Sequence, residues 1–137
     1  MGRVIVDFTL SNYIDIMEFE QGRLTPDKIR RVVVQGVVDT GAARLVLPKS
    51  VVKQLDLPIR GHATVRFADH RRAERDMARN AYVEYAGRGG VFDAIVEPNR
   101  NVALLGAIVL EVLDLIVDCP AQKLLPRDPN TIIAEVE

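Results

Sequence analysis

The chain has 137 residues, 48% of them hydrophobic, enough for one domain with a packed core and too apolar for a disordered or fibrous protein. Lys+Arg number 18 against Asp+Glu 19, a formal net charge of -1, so no basic surplus supports a nucleic-acid or membrane-surface role. A single cysteine, Cys119, excludes an intrachain disulfide and fits a reducing, cytoplasmic compartment. The first residues lack the basic-then-apolar layout of a signal peptide, and Val6 stands where a myristoylation signal wants Ser or Thr. The longest strongly apolar run, 102–110, is too short to span a bilayer. Aromatic residues make up only 5%, and tryptophan is absent. The core must therefore be built from Val, Leu and Ile, and abundant β-branched residues favour strands.

In chain order, 3–10 alternates loosely and reads as a strand, Ser11-Asn12 as a turn, and 13–20 as a returning strand. Gly22 and Pro26 mark a loop. The run 29–38 is the next strand, and Gly36 inside it predicts a bulge or a close backbone approach. After a turn at Asp39, 44–47 is a short strand, and Pro48 sits where a helix can begin. That helix would bury Val51, Val52 and Leu55. Segments 62–68 and 77–85 read as the strands of a long hairpin tipped by the charged residues 69–76, followed by a turn at 87–90 and a strand at 91–96. Helical spacing of Leu104, Leu105, Ile108, Val109, Val112 and Leu113 predicts a mostly buried helix over 106–113. Short strands at 115–118 and 123–125 flank a Cys119-Pro120 turn, with Cys119 expected as a small buried residue. Residues 127–137 form a tail, read as disordered or as part of an interface between copies. A strand-loop-helix passage occurs twice, once through Asp39 and once through Gly106.

The stretch Val37-Val38-Asp39-Thr40-Gly41-Ala42-Ala43 carries the chemistry. A carboxylate at the end of a buried strand is costly unless it is paired or hydrogen-bonded. Gly41 lets the backbone come close enough to aim an N–H at it, and Thr40 adds a hydroxyl that can lock the turn. The short side chains of Ala42 and Ala43 leave space above the carboxylate.

These residues resemble the catalytic loop of the retropepsin-like (retroviral-type) clan AA aspartic proteases, and the chain is most similar to their small prokaryotic branch. Ala103-Leu104-Leu105-Gly106-Ala107 resembles the family's hydrophobic-hydrophobic-Gly signature. Val65-Arg66-Phe67-Ala68-Asp69 resembles its flap hairpin, and 113–118 its closing segment. The resemblance spans roughly residues 30–126 and implies a protease domain over 1–126. The implied fold is mainly β: a closed antiparallel acid-protease-type barrel with one or two short helices, forming half of a two-fold symmetric dimer. It implies an aspartic endopeptidase acting on peptide or protein substrates, without metal or other cofactor. The catalytic aspartate would be Asp39 from each of two subunits, supported by Thr40, Gly41 and Ala42, with Phe67, Ala68, Asp69 and His70 of the flap contacting substrate. Two such carboxylates share one proton, so one can activate a water while the other protonates the substrate.

One feature departs from the pattern. No glycine occurs between His62 and Ala86, although a hairpin tip ordinarily needs one for positive φ. This motivates an alternative, a protease-fold module that dimerises or binds peptides with little or no catalysis. The blander readings are that Asp39-Thr40-Gly41 is an ordinary strand-ending turn, that the Gly106 helix is core, and that the Arg66, Arg71, Arg72, Arg75 and Arg79 cluster is a solvated face interleaved with acids. His62 and His70, with no cysteine nearby, do not make a zinc site.

Overall fold

The computed structural model describes residues 3–137. Strand β1 (Val4–Asn12) leads into helix α1 (Tyr13–Glu20), then β2 (Arg31–Val38), β3 (Leu45–Pro48) and helix α2 (Lys49–Gln54). Strands β4 (Ile59–Arg66), β5 (Arg72–Tyr85) and β6 (Arg88–Glu97) follow, then β7 (Ala103–Leu105), helix α3 (Ala107–Leu113), β8 (Leu115–Asp118) and β9 (Lys123–Pro126). One sheet runs in the order β1-β2-β7-β3-β6-β5-β4, and a further β1–β5 pairing closes six of these strands into a barrel, leaving β4 outside the ring. This is the mainly β barrel that the sequence implies. Its pairings are antiparallel except for β2–β7 and β3–β6.

Strand β5 makes this topology possible because it is 14 residues long. Its first half pairs with β4 and projects as a hairpin, while 81–84 pairs with β1 and closes the wall. The aliphatic residues fill the interior as their alternation requires: Leu10, Leu45, Leu47 and Val83 have no exposed surface. Gly36 lies under the Phe8 ring, where a Cβ would come within 2.7 Å of Cε1, so the close approach is present. The β1–β2 register runs through Gly36 without a bulge.

The structure corrects several sequence readings. Residues 13–20 form α1 rather than a strand. Asn12, read as a turn residue, is instead the helix N-cap: its Oδ1 accepts from Ile14 N at 2.9 Å and Asp15 N at 3.3 Å, while its Nδ2 donates to Leu55 O at 2.9 Å. Residues 72–76 belong to β5 rather than to a charged tip. Their alternating exposure is that of a strand, with Ala73 and Arg75 turned inward. The hairpin after β5 turns on Ala86-Gly87, both at positive φ (53° and 76°), and pairs Tyr85 with Arg88. Cys119 is exposed, because the β8–β9 turn points outward.

The tail has no regular secondary structure, yet it is tied down. Buried Arg88 donates to the carbonyls of Leu113, Asp114, Asp128 and Thr131. The carboxylate of Asp114 accepts from Arg127 Nε at 2.7 Å and from Ile133 N at 3.0 Å.

Candidate active site

Strand β2 ends by delivering Asp39 into a turn that backbone hydrogen bonds hold from several sides. Asp39 N donates to Leu105 O at 3.0 Å, and Ala42 N donates to Asp39 O at 3.2 Å. Gly41 N donates to Asp39 Oδ1 at 2.9 Å, so the carboxylate is oriented by the turn it opens. Helix α3 begins at Gly106, which offers no side chain as a cap. The turn supplies the acceptors instead: Ala107 N donates to Ala42 O at 2.8 Å and Ile108 N to Ala43 O at 3.0 Å. This explains why residue 106 is a glycine. A Cβ there would lie 2.7 Å from Arg44 N and 2.8 Å from Ala42 O, and nearer still to Arg44 O. The two strand-loop-helix passages seen in the sequence thus meet, and Gly106 is where they touch.

Asp39 is half-buried, and among the described residues it has no salt-bridge partner. Asp15 shows the contrast. Its carboxylate accepts Arg30 Nε and Nη2, each at 2.9 Å, and also the Arg30 backbone N–H. The Arg30 guanidinium holds the Asp15 carboxyl below its ordinary range, against the opposing effect of burial. Asp15 is thus committed to structure, while among the described residues only one Asp39 carboxylate oxygen is engaged, by Gly41 N.

A cleft of about 670 Å³ lies between the Asp39 turn and the β4–β5 hairpin. Of the residues expected at the site, Asp39, Gly41, Ala42, Phe67 and Ala68 line it together. Thr40 faces elsewhere, into a hollow of about 640 Å³ bordered by α3 and by Ile132 and Ile133 of the tail. Asp69 and His70 shape the hairpin tip and do not line the cleft. The tip is a three-residue loop, 68–70: Phe67 N donates to Arg71 O and His70 N to Phe67 O, each at 2.9 Å. His70, at φ 70°, takes the left-handed position that glycine fills in most such loops. Asp69 accepts Arg71 N at 3.1 Å and Arg71 Nε at 2.6 Å, fastening the loop from its side chain.

Sequence reasoning missed the far wall of the cleft, which contains Val46, Ile95, Glu97, Arg100 and Leu104. Arg75 Nε and Glu97 Oε1 pair at 2.9 Å with little exposure, bracing the hairpin against the end of β6. The inward half of the charged alternation at 72–76 was the available signal for Arg75. Nothing local marks Glu97 or Arg100. Among the described residues, no group of three or more His, Cys, Asp or Glu side chains is placed to hold a metal ion. No helix among them is long and apolar enough to cross a membrane.

The closed barrel, the hairpin over a cleft and the Asp-Thr-Gly turn packed on a Gly-led helix define the fold of a retroviral-type aspartic protease. The solved structure of the EIAV protease complexed with the inhibitor HBY-793 is similar at a TM-score of 0.55, covering 82% of this chain and 88% of that chain at 16% sequence identity. At that identity the likeness is one of fold. No protein-family model matches the sequence, and no curated protein matches it.

Proposed function

We propose that the chain is an aspartic endopeptidase of the small prokaryotic retropepsin-like branch, active as a homodimer with Asp39 of each copy forming the dyad. The observation that carries this reading is the Asp39 carboxylate at the base of a hairpin-covered cleft, oriented by Gly41 N–H and, among the described residues, paired with no cation. One chain supplies one Asp-Thr-Gly, so the chemistry needs a second copy.

Two such carboxylates brought together cannot both ionise readily, and the pair titrates as a unit sharing one proton. The ionised oxygen takes a proton from a bound water, which attacks the peptide carbonyl carbon. The protonated carboxyl stabilises the developing oxyanion and then supplies the proton on which the amine leaves. Gly41 fixes the carboxylate, Thr40 locks the turn against the second copy, and Ala42 leaves room for substrate. An extended peptide would lie under the flap and pair with it as an added strand. The face for the second copy is the one holding Thr40, α3 and the tail. There Ile108, Val112, Ile132 and Ile133 are all more than 40% exposed, an apolar surface that dimerisation would cover. Residues 1–126 form the protease domain in this reading, and 127–137 contribute to that face.

The alternative, a module without turnover, was motivated by the glycine-free tip. His70 supplies the required left-handed residue, which removes that motive.

The deciding comparison is wild type against Asp39→Asn, by sedimentation and by peptide cleavage. Dimers in both, with cleavage lowered at least about a thousandfold in the variant, are expected. Equal cleavage by the variant would overturn the reading, and a monomer at every concentration would remove the dyad.

A further inference from the structure

The arginines that the sequence groups as a solvated face separate in the fold. Arg79 leaves them for the barrel wall, where Nη1 pairs with Asp93 at 2.5 Å and Nε donates to Arg60 O at 3.0 Å. Arg71, Arg72 and Arg75 stay at the flap. With Arg100 from the loop after β6, they line a hollow of about 540 Å³. This hollow shares Phe67, Glu97 and Arg100 with the Asp39 cleft, so the two adjoin. It holds four guanidinium groups against the single carboxylate of Glu97, in a chain whose net charge is -1.

Those charges are incompletely used. Glu97 is engaged by Arg75, and Asp69 by Arg71. Among the described residues Arg72 has no side-chain hydrogen bond or ion pair. Among the same residues Arg100 uses only Nε, on Val102 O at 3.1 Å, and its terminal nitrogens make no further bond. The guanidinium carbons of Arg71 and Arg75 sit over the Phe67 ring, 5.2 and 5.7 Å from its centre, which limits their freedom before any ligand arrives. At the neck of the flap Arg66 lies directly across from Arg72. Like charges in that register destabilise a hairpin. Breaks of a local rule of this kind concentrate at functional or strained positions.

We propose that this hollow is a subsite for a carboxylate side chain, Asp or Glu, of the peptide held in the Asp39 cleft, with Arg72 and Arg100 as its contacts. This rests on the peptidase reading above. Arg100 borders both hollows, so one extended peptide can reach each. Guanidinium forks match a carboxylate in geometry as well as charge. The chain thereby selects substrates with an acidic residue a few positions from the cleaved bond.

The test has two arms. Wild-type enzyme is given a proteome-derived peptide mixture, and the cut sites are read by mass spectrometry. Then matched peptides, carrying Glu or Gln at the enriched position, are bound to full-length Asp39→Asn. Acidic residues should be enriched on one side of the cut, and the Glu peptide should bind about tenfold tighter than its Gln twin at low salt. That gap should shrink at 500 mM salt and close when Arg72→Ala and Arg100→Ala are added. Arg72→Glu, at an exposed position, should shift preference toward a Lys-bearing peptide. Cleavage without acidic enrichment, equal binding of the twins, or a gap that survives loss of both arginines overturns the subsite alone. No cleavage and no peptide binding overturns the peptidase reading and the subsite with it.

Discussion

The Asp39 turn and the β4–β5 hairpin face each other across one cleft, but different bonds hold the turn and the hairpin's tip. The turn is built from backbone: N–H and C=O groups of 39–43 and 105–108 satisfy one another, and a missing side chain at Gly106 lets them meet. The tip is built from side chains on an exposed loop, with Asp69 fastening Arg71 and His70 in a left-handed conformation. Where backbone encloses it, at Gly106, the turn admits no added side chain, whereas a side-chain-built tip exchanges residues at small cost. The part that would hold a reacting carboxylate is rigid, and the part that would close over a peptide is adjustable.

The largest effect should therefore come from Gly106→Ala. The added Cβ meets backbone atoms of Ala42 and Arg44 that are hydrogen-bonded or lie in the turn itself, so they cannot move aside as a flexible side chain would. The variant should lose about 3 kcal/mol, read as a melting temperature roughly 10 °C lower. A change within 1 or 2 °C would mean that the turn yields, and the contrast with the flap would fail.

The strand alternation, the Asp39 turn and the Gly106 passage were legible in the sequence because each is a local pattern with one physical cause. What escaped was decided at long range. Helix α1 has Ile14, Met17 and Phe19 at 40% exposure or more, so its apolar residues do not form the inward stripe that reveals a helix. Its start depends on Asn12, whose second role is to bond Leu55 O, 43 residues away. The anchoring of the tail could not be read at all, since Arg88 binds main-chain carbonyls that only the fold collects. Phe67 and Ala68 were found because they lie in a recognisable hairpin. Glu97, at the end of β6, and Arg100, in the loop after it, lie on the facing wall without a motif to mark them.

A third aspartate sets the scale between these regions. Asp15→Asn removes a bidentate charge pair and should cost about 2 kcal/mol near neutral pH. Its carboxyl is held below the ordinary range by Arg30, so this contribution is present above the unfolded-state value of about 4 and is lost as pH falls through the lower folded value. Melting curves from pH 7 to pH 3 should show parent and variant converging below about pH 4. A constant gap would assign the loss to shape rather than to charge. At the tip, Asp69→Ala should cost less, about 0.5–1 kcal/mol, because the Arg71 pair it removes is solvent-exposed. Salt should diminish that difference while leaving the Gly106→Ala loss unchanged.

The smallest effect should also have the opposite sign. His70 holds φ 70° with no glycine to relieve it, which costs about 1–2 kcal/mol for a residue with a Cβ. His70→Gly removes that strain but gives the unfolded chain more freedom, an offset of roughly 0.5–1 kcal/mol. The net should be a gain of about 0.5 kcal/mol, seen as a melting temperature higher by roughly 1–2 °C. The strands below are paired up to Arg66 and Arg72, so the change should stay within the loop. A lower melting temperature would show that the imidazole itself supports the tip, making the flap still more dependent on side chains. An increase of several degrees would place real backbone strain at the flap, and the adjustable half of the cleft would then resemble the rigid one.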